Sequence, residues 1–349
     1  MFPYAVLFTI ASLFATLGRS KSANKLLAVL FASVLVIFVG TRDNVGCDFA
    51  SYEGRFNSLL QGLTLGEIFN NGEAGFYLMS LGLRDMDFTH LSVLFVSGVL
   101  YLFCLWRFSN LLEKPLGFLA LCFPVLIVQL GMSGIRQALA LGFLLLAMTA
   151  FANKRRLMVV LWVLVASQFH TSAIIFLPLA YLPGRQVSLG RLVAALALLG
   201  PMVLFMAGGR AEVYSDRYVE QTYGENSSGG AWFRYTLILI PFLLFEWKAK
   251  LVEQTFPKLY PLLRVFALIT FAMAAVGLVS TVALHRLVFY AMPISIMAFI
   301  CVSQVLAHER KNPVMWFLPY VFYGAYMLSW FKLSRHADLC YVPYQSWLF

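Results

Sequence analysis

The chain has 349 residues, 61% of them hydrophobic and 12% charged, with a formal net charge of +10 and a mean hydropathy of +0.80. A soluble domain runs near half apolar and a quarter charged, so this composition excludes a soluble fold and indicates an integral membrane protein. The basic residues are scattered between apolar runs, which excludes a nucleic-acid-binding surface and leaves positive-inside bias as their cause.

Apolar runs recur along the whole length, and in lipid they predict an all-α, polytopic protein, because a helix satisfies its own backbone amides. The first run, 4–18, is followed by Arg19 and Lys21 instead of being preceded by positive charge, so it is expected to be a span and not a cleaved signal peptide. Further spans are expected at 26–40, 88–106, 116–130, 133–152, 157–168, 172–183, 190–208, 233–247, 261–280, 286–306 and 313–331. That makes about twelve transmembrane helices, some of them short or broken. Segment 74–84 is a shorter apolar piece, interfacial or re-entrant.

Lys and Arg set the orientation. Arg19, Lys21 and Lys25 mark one cytoplasmic turn; Lys154 to Arg156, Lys248 with Lys250, and Arg310 with Lys311 mark three more. A single threading satisfies all four if 157–183 enters and leaves from the cytoplasm as two half-helices meeting near "QFHTS". Both termini then lie outside, with two larger outer loops at 41–74 and 209–232, in one transmembrane domain spanning 1–349. Of the sixteen acids, only Glu113, Glu246, Glu253 and Glu309 fall inside. Acids barely influence topology, so this asymmetry points independently to chemistry at the outer face.

Three inward-running helices begin there with a basic residue: "SGIRQALALGF" with Arg136 and Gln137, "AWFRYTLIL" with Arg234, and "TVALHRLVFY" with His285 and Arg286. A helix N-terminus offers free amides and partial positive charge, and Arg pairs phosphate oxygens in bidentate fashion. Arg42 and Arg210 lie at the outer ends of two outward-running helices. Snorkelling explains any one such Arg; the set reads as a clamp for a lipid-linked diphosphate. In "TRDNVGCDFASY", Asp48 and Tyr52 stand four apart and share a face if that part is helical. Asp48 is a candidate to take a proton from, or to hold, a sugar hydroxyl; the plainer reading is a solvated acid paired with Arg42 or Arg55. Glu73 in "NNGEAGFYL" and His170 in "ASQFHTSAIIF" are the other acid–base candidates, though a lone His in an apolar run is more often structural. No second His stands at ligand spacing, so no metal or other cofactor is expected. Cys104, Cys122 and Cys301 read as packing residues, while Cys47 and Cys340 fall in outer polar segments where an oxidising compartment would let them pair.

The run "TRDNVGCDFASYEGRF" resembles the Arg, Gly-x-Asp-Tyr/Phe, Tyr signature of the EpsG-like family of Wzy-type polysaccharide polymerases. "GEAGFYLMSLGL", "SGIRQALALGF", "SQFHTSAIIFLPL", "HRLVFY" and the tail "YVPYQSW" resemble further family segments, in family order over most of the chain. Cys47 and Phe49 depart from the more usual Thr and Tyr, and neither would be an acid–base group. The resemblance implies a metal-independent polymerase of O-antigen or exopolysaccharide repeat units at the periplasmic face of the bacterial inner membrane, with a fold like the GT-C-like membrane glycosyltransferases. It implies undecaprenyl-diphosphate-linked oligosaccharides as substrates, with a chain-length regulator and a flippase as partners. On this reading Asp48 is the first candidate base, and His170 or Glu73 the second. Arg136, Arg286, Arg42 and Arg234 bind the diphosphate, and Tyr52, Gln137 and His285 contact substrate. Competing readings are a lipid-linked oligosaccharide flippase, which would place charges near the midplane in pseudo-symmetric halves, an O-antigen ligase and a membrane acyltransferase.

Overall fold

The structure, a computed structural model, describes residues 1–18, 20–58, 68, 73–183, 188, 190–194 and 230–348. Arg19, Arg210, most of the expected span 190–208, nearly all of the loop 209–232 and residues 59–67 and 69–72 of the loop 41–74 lie outside the described residues.

Every regular element described is helical. In chain order these are α1 (Phe2–Leu17), α2 (Lys21–Gly40), α3 (Phe49–Ser58), α4 (Ala74–Asp85), α5 (His90–Ser109) and α6 (Pro115–Cys122). α6 runs on as a π-helix over Phe123–Gly131. Pro124 has no N–H to donate at the join, which breaks the α ladder and lets the wider turn continue. Then follow α7 (Ile135–Ala152), α8 (Arg156–Ser167), a 3-10 helix over Thr171–Tyr181, α9 (Ala231–Trp247), α10 (Ala249–Thr255), α11 (Tyr260–Val279) and α12 (Thr281–Glu309). A short 3-10 turn leads into α13 (Leu318–Leu333), and α14 (Arg335–Tyr341) precedes the tail. Among the described residues, five helices are long and apolar enough to cross a membrane: α2, α5, α7, α11 and α12. Four shorter apolar helices, Phe2–Leu17, Pro115–Gly131, Arg156–Ser167 and Thr171–Tyr181, accompany them. A full crossing by length alone therefore rests on five helices, where the apolar runs suggested twelve.

The expected break near "QFHTS" is present. α8 stops at Ser167, residues 168–170 turn, and the chain restarts as the 3-10 helix. The Arg156 guanidinium donates to the Pro183 carbonyl at 3.2 Å, so the two ends of this segment lie side by side.

The chain divides into two compact units. The first comprises Met1–Leu146, Trp162–Ala173 and Tyr320–Phe349. Here α2 crosses α5 where Gly40 meets Gly98; a Cβ on Gly40 would stand 2.9 Å from the Phe95 ring, so close backbone approach requires the glycine. Buried Asn24 of α2 accepts from the Leu116 amide at 3.1 Å, capping the first turn of α6. The tail lies on the end of α2: Trp347 N–H donates to the Thr41 carbonyl at 3.0 Å, Asp43 N–H to Gln345 at 3.0 Å, and Tyr344 stacks on Phe38. A disulfide joins Cys47 to Cys340. The second unit comprises Ala147–Leu161 and Ile174–Pro319. Its axis is α12, in which an apolar 18-residue stretch is 94% buried, as expected of a helix apolar all round. Ser295 donates to the Ile238 carbonyl at 3.1 Å and Tyr235 to Thr270 at 2.9 Å, tying α12 to α9 and α9 to α11.

Three of the four acids read as cytoplasmic sit beside basic partners within their own units. Glu113 lies 2.6 Å from Lys21, Glu309 lies 2.6 Å from Lys248, and Glu246 pairs with Arg264.

Candidate active site

Three segments of the first unit that the sequence singled out separately converge on one carboxylate. Glu73 stands at the N-cap of α4 in the left-handed backbone region, φ 61 and ψ 32. Few residues without a special reason adopt it. The reason here is a docking contact. The amide of Gly75 donates at 2.9 Å to the carbonyl of Gln168, in the turn after α8. A Cβ on Gly75 would stand 3.0 Å from the Gln168 Cβ and 3.2 Å from the Phe169 ring, so any larger residue at the start of α4 would press on that turn. The contact sets Glu73 beside His170.

One Glu73 oxygen, Oε2, accepts from the Arg136 guanidinium in the first turn of α7. The other, Oε1, lies 3.1 Å from His170 Nδ1, close enough for a charge contact but off the line of a straight N–H bond. Glu73 is buried. Burial pushes its carboxyl up, but the His170 ring and the Arg136 guanidinium outweigh this and hold it below the ordinary carboxylate range. Tyr52 of α3 packs its ring on Phe76, and its hydroxyl faces Arg136. Burial raises the Tyr52 phenol, and nearby Arg136 offsets part of that rise.

Asp48 is exposed, just before α3, and its carbonyl accepts from the Tyr52 amide at 3.0 Å. The two stand one helical turn apart, and the Asp48 charge acts on the Tyr52 phenol. Gln137 is buried next to Arg136 in α7. A small cavity open to solvent lies against this cluster, lined by Tyr52, Arg55, Phe76, Tyr77, His90 and Arg136 among others. Sequence reasoning passed over two of these. In the sequence Arg55 is no more than a partner for a loop acid, and His90 opens a long apolar helix with no motif around it.

Arg42, one of the four arginines expected in the clamp, lies inside the fold. It is 1% exposed, and its guanidinium donates to the carbonyls of Val39, Val45 and Met132. Its Nε and Nη1 hold the end of α2 to the chain before α7, and the side chain is closed off from solvent. Arg234, His285 and Arg286 belong to the second unit. His285 Nδ1 lies 2.6 Å from the Arg234 guanidinium. Because guanidinium only donates, that nitrogen is the acceptor. His285 also sets its edge on Phe289, with Arg234 over the same ring at 5.6 Å. His285 and Arg286 stand in the second turn of α12, whose first turn is capped by Ser280.

Cys47, His336 and Cys340 lie together at metal-ligand distances, but both sulfurs are joined to each other, which leaves a single imidazole. A family model described as the EpsG family matches residues 25–346. No curated protein and no solved structure matches the chain.

Proposed function

The chain belongs to the EpsG family, a Wzy-like polymerase family, and on that premise we propose that it extends a lipid-linked glycan, transferring the growing chain from undecaprenyl diphosphate to a hydroxyl of a new lipid-linked repeat unit at the periplasmic face. The observation that carries this reading is the Glu73 carboxylate shared between Arg136 and His170.

The donor's leaving group is a diphosphate, already acidic, so it needs charge and hydrogen-bond stabilisation more than a proton. Arg136 supplies donors at the cavity wall, its guanidinium fixed by Glu73 and Tyr52. The acceptor hydroxyl is a poor nucleophile and needs a base. The Glu73 carboxylate beside Nδ1 favours the tautomer that carries its proton there, which leaves Nε2 to accept the sugar proton. The anomeric carbon gains the acceptor oxygen and loses the phosphate oxygen, and the proton goes to His170. Glu73 is then a positioning residue. Asp48, exposed beside Tyr52, takes the part of a sugar-hydroxyl contact in place of the base. Arg234 with Arg286 in the second unit is a further contact for lipid phosphate.

Reconstitution tests the reading. Purified protein in nanodiscs, given lipid-diphosphate-linked repeat units, chelator and no nucleotide sugar, is expected to yield a ladder of longer lipid-linked products. Unchanged substrate with protein that binds it would overturn the polymerase reading, and transfer to a lipid A core would mark a ligase.

A further inference from the structure

The cavity beside the Glu73 cluster holds charge that the reaction above does not use. Two of its lining side chains are arginines, one is a histidine, and none is an acid. Arg136 is compensated by Glu73. Arg55, at the last turn of α3, is not: among the described residues no acid lies within ion-pair distance of it. The helix dipole favours a cation at that end, which accounts for an Arg in the turn but not for its lining a cavity. His90 gives a second, independent sign. Its Nε2 is buried with no hydrogen-bond partner among the described residues, while its Nδ1 lies 3.7 Å from Glu53. A buried ring nitrogen without a partner costs free energy that a ligand's hydroxyl or oxyanion would recover. Between these polar groups the wall is aromatic, Tyr52, Phe76 and Tyr77, a surface on which the apolar face of a pyranose stacks.

We propose that the cavity between α3, α4 and α5 binds a negatively charged group carried on the glycan substrate, with Arg55 pairing the oxyanion and His90 Nε2 hydrogen-bonding the sugar beside it. The ligand is a carbohydrate bearing a carboxylate or a phosphate; both pair with guanidinium in the same bidentate way. The inference rests on the polymerase reading for the identity of the substrate, not for the existence of the site.

The test is binding, so it does not depend on chain growth. Full-length protein in nanodiscs is titrated with tetragalacturonate, with its neutral methyl ester, and with undecaprenyl diphosphate. Wild-type protein is expected to bind tetragalacturonate tenfold or more tighter than the neutral ester, with a margin that shrinks as salt rises. Arg55→Gln should remove that margin, Arg55→Lys should keep part of it, and His90→Gln should weaken the same probe several-fold. A margin for tetragalacturonate supports an acidic sugar as the ligand, and a margin confined to undecaprenyl diphosphate, which carries no sugar, overturns the assignment to the glycan. An absent margin, or one that survives in well-folded Arg55→Gln, overturns the proposal. Protein that binds these probes through Arg55 yet builds no ladder would lose the polymerase reading and keep this site.

Discussion

Arg42 and Arg136 are both arginines near the ends of long apolar helices, and only their surroundings separate them. Arg42 is buried and gives its donors to three backbone carbonyls, one of them Val39 in the last turn of α2. Arg136 is part-buried, faces one carboxylate and lines a cavity. Removing Arg42 leaves buried acceptors unmade, at about 1–3 kcal/mol each. We therefore expect Arg42→Ala to lower the melting temperature sharply and to cost monodisperse protein in detergent. Arg136→Lys, which keeps a cation beside buried Glu73, should melt near wild type and lose activity. A normal melt for Arg42→Ala would show that the three carbonyls do not depend on it. Sequence alone could not tell the two apart, because a carbonyl partner leaves no mark in the pattern. It did single out Glu73, Arg136 and His170 one by one, since ionisable groups are conspicuous in apolar runs. That they meet was not legible, because 63 residues separate Glu73 from Arg136. Arg55 and His90 were passed over because their significance lies in a cavity that only packing creates.

At the level of elements, hydropathy and punctuation were informative. The run predicted at 261–280 is α11 at Tyr260–Val279, and the break near "QFHTS" followed from the positions of Lys and Arg. What hydropathy could not show is helix type, since the π-helix at Phe123–Gly131 and the 3-10 helix at Thr171–Tyr181 are as apolar as their neighbours. The apolar run expected at 286–306 begins later than the helix, whose start the Ser280 cap marks. The tail was a resemblance without a structural role; it lies along the end of α2 and carries one half of the Cys47–Cys340 disulfide. This gives a direct check. Denatured protein isolated with thiols blocked should take up maleimide at Cys104, Cys122 and Cys301 only, and at all five cysteines after reduction. Five labels without reductant would mean that the tail is held by its hydrogen bonds and ring contacts alone.

On the scale of the whole molecule, the family match runs over residues 25–346, and the converging residues all belong to the first compact unit. Composition was sufficient for the membrane class, and ordered motifs for the family. The number of crossings was less legible, because an apolar run of 12 residues such as α8 reads as a span whether or not it crosses. The most direct measurement is the product ladder from lipid-linked repeat units for four nanodisc preparations: wild type, Glu73→Gln, His170→Gln and Arg42→Lys, each normalised to folded protein. We predict a full ladder from wild type and from whatever fraction of Arg42→Lys folds. Glu73→Gln and His170→Gln should each lose about 100-fold or more in rate, the range that loss of a positioned base gives. A full-length ladder at wild-type rate from well-folded Glu73→Gln and His170→Gln would contradict the assignment of the chemistry to the Glu73–Arg136–His170 cluster.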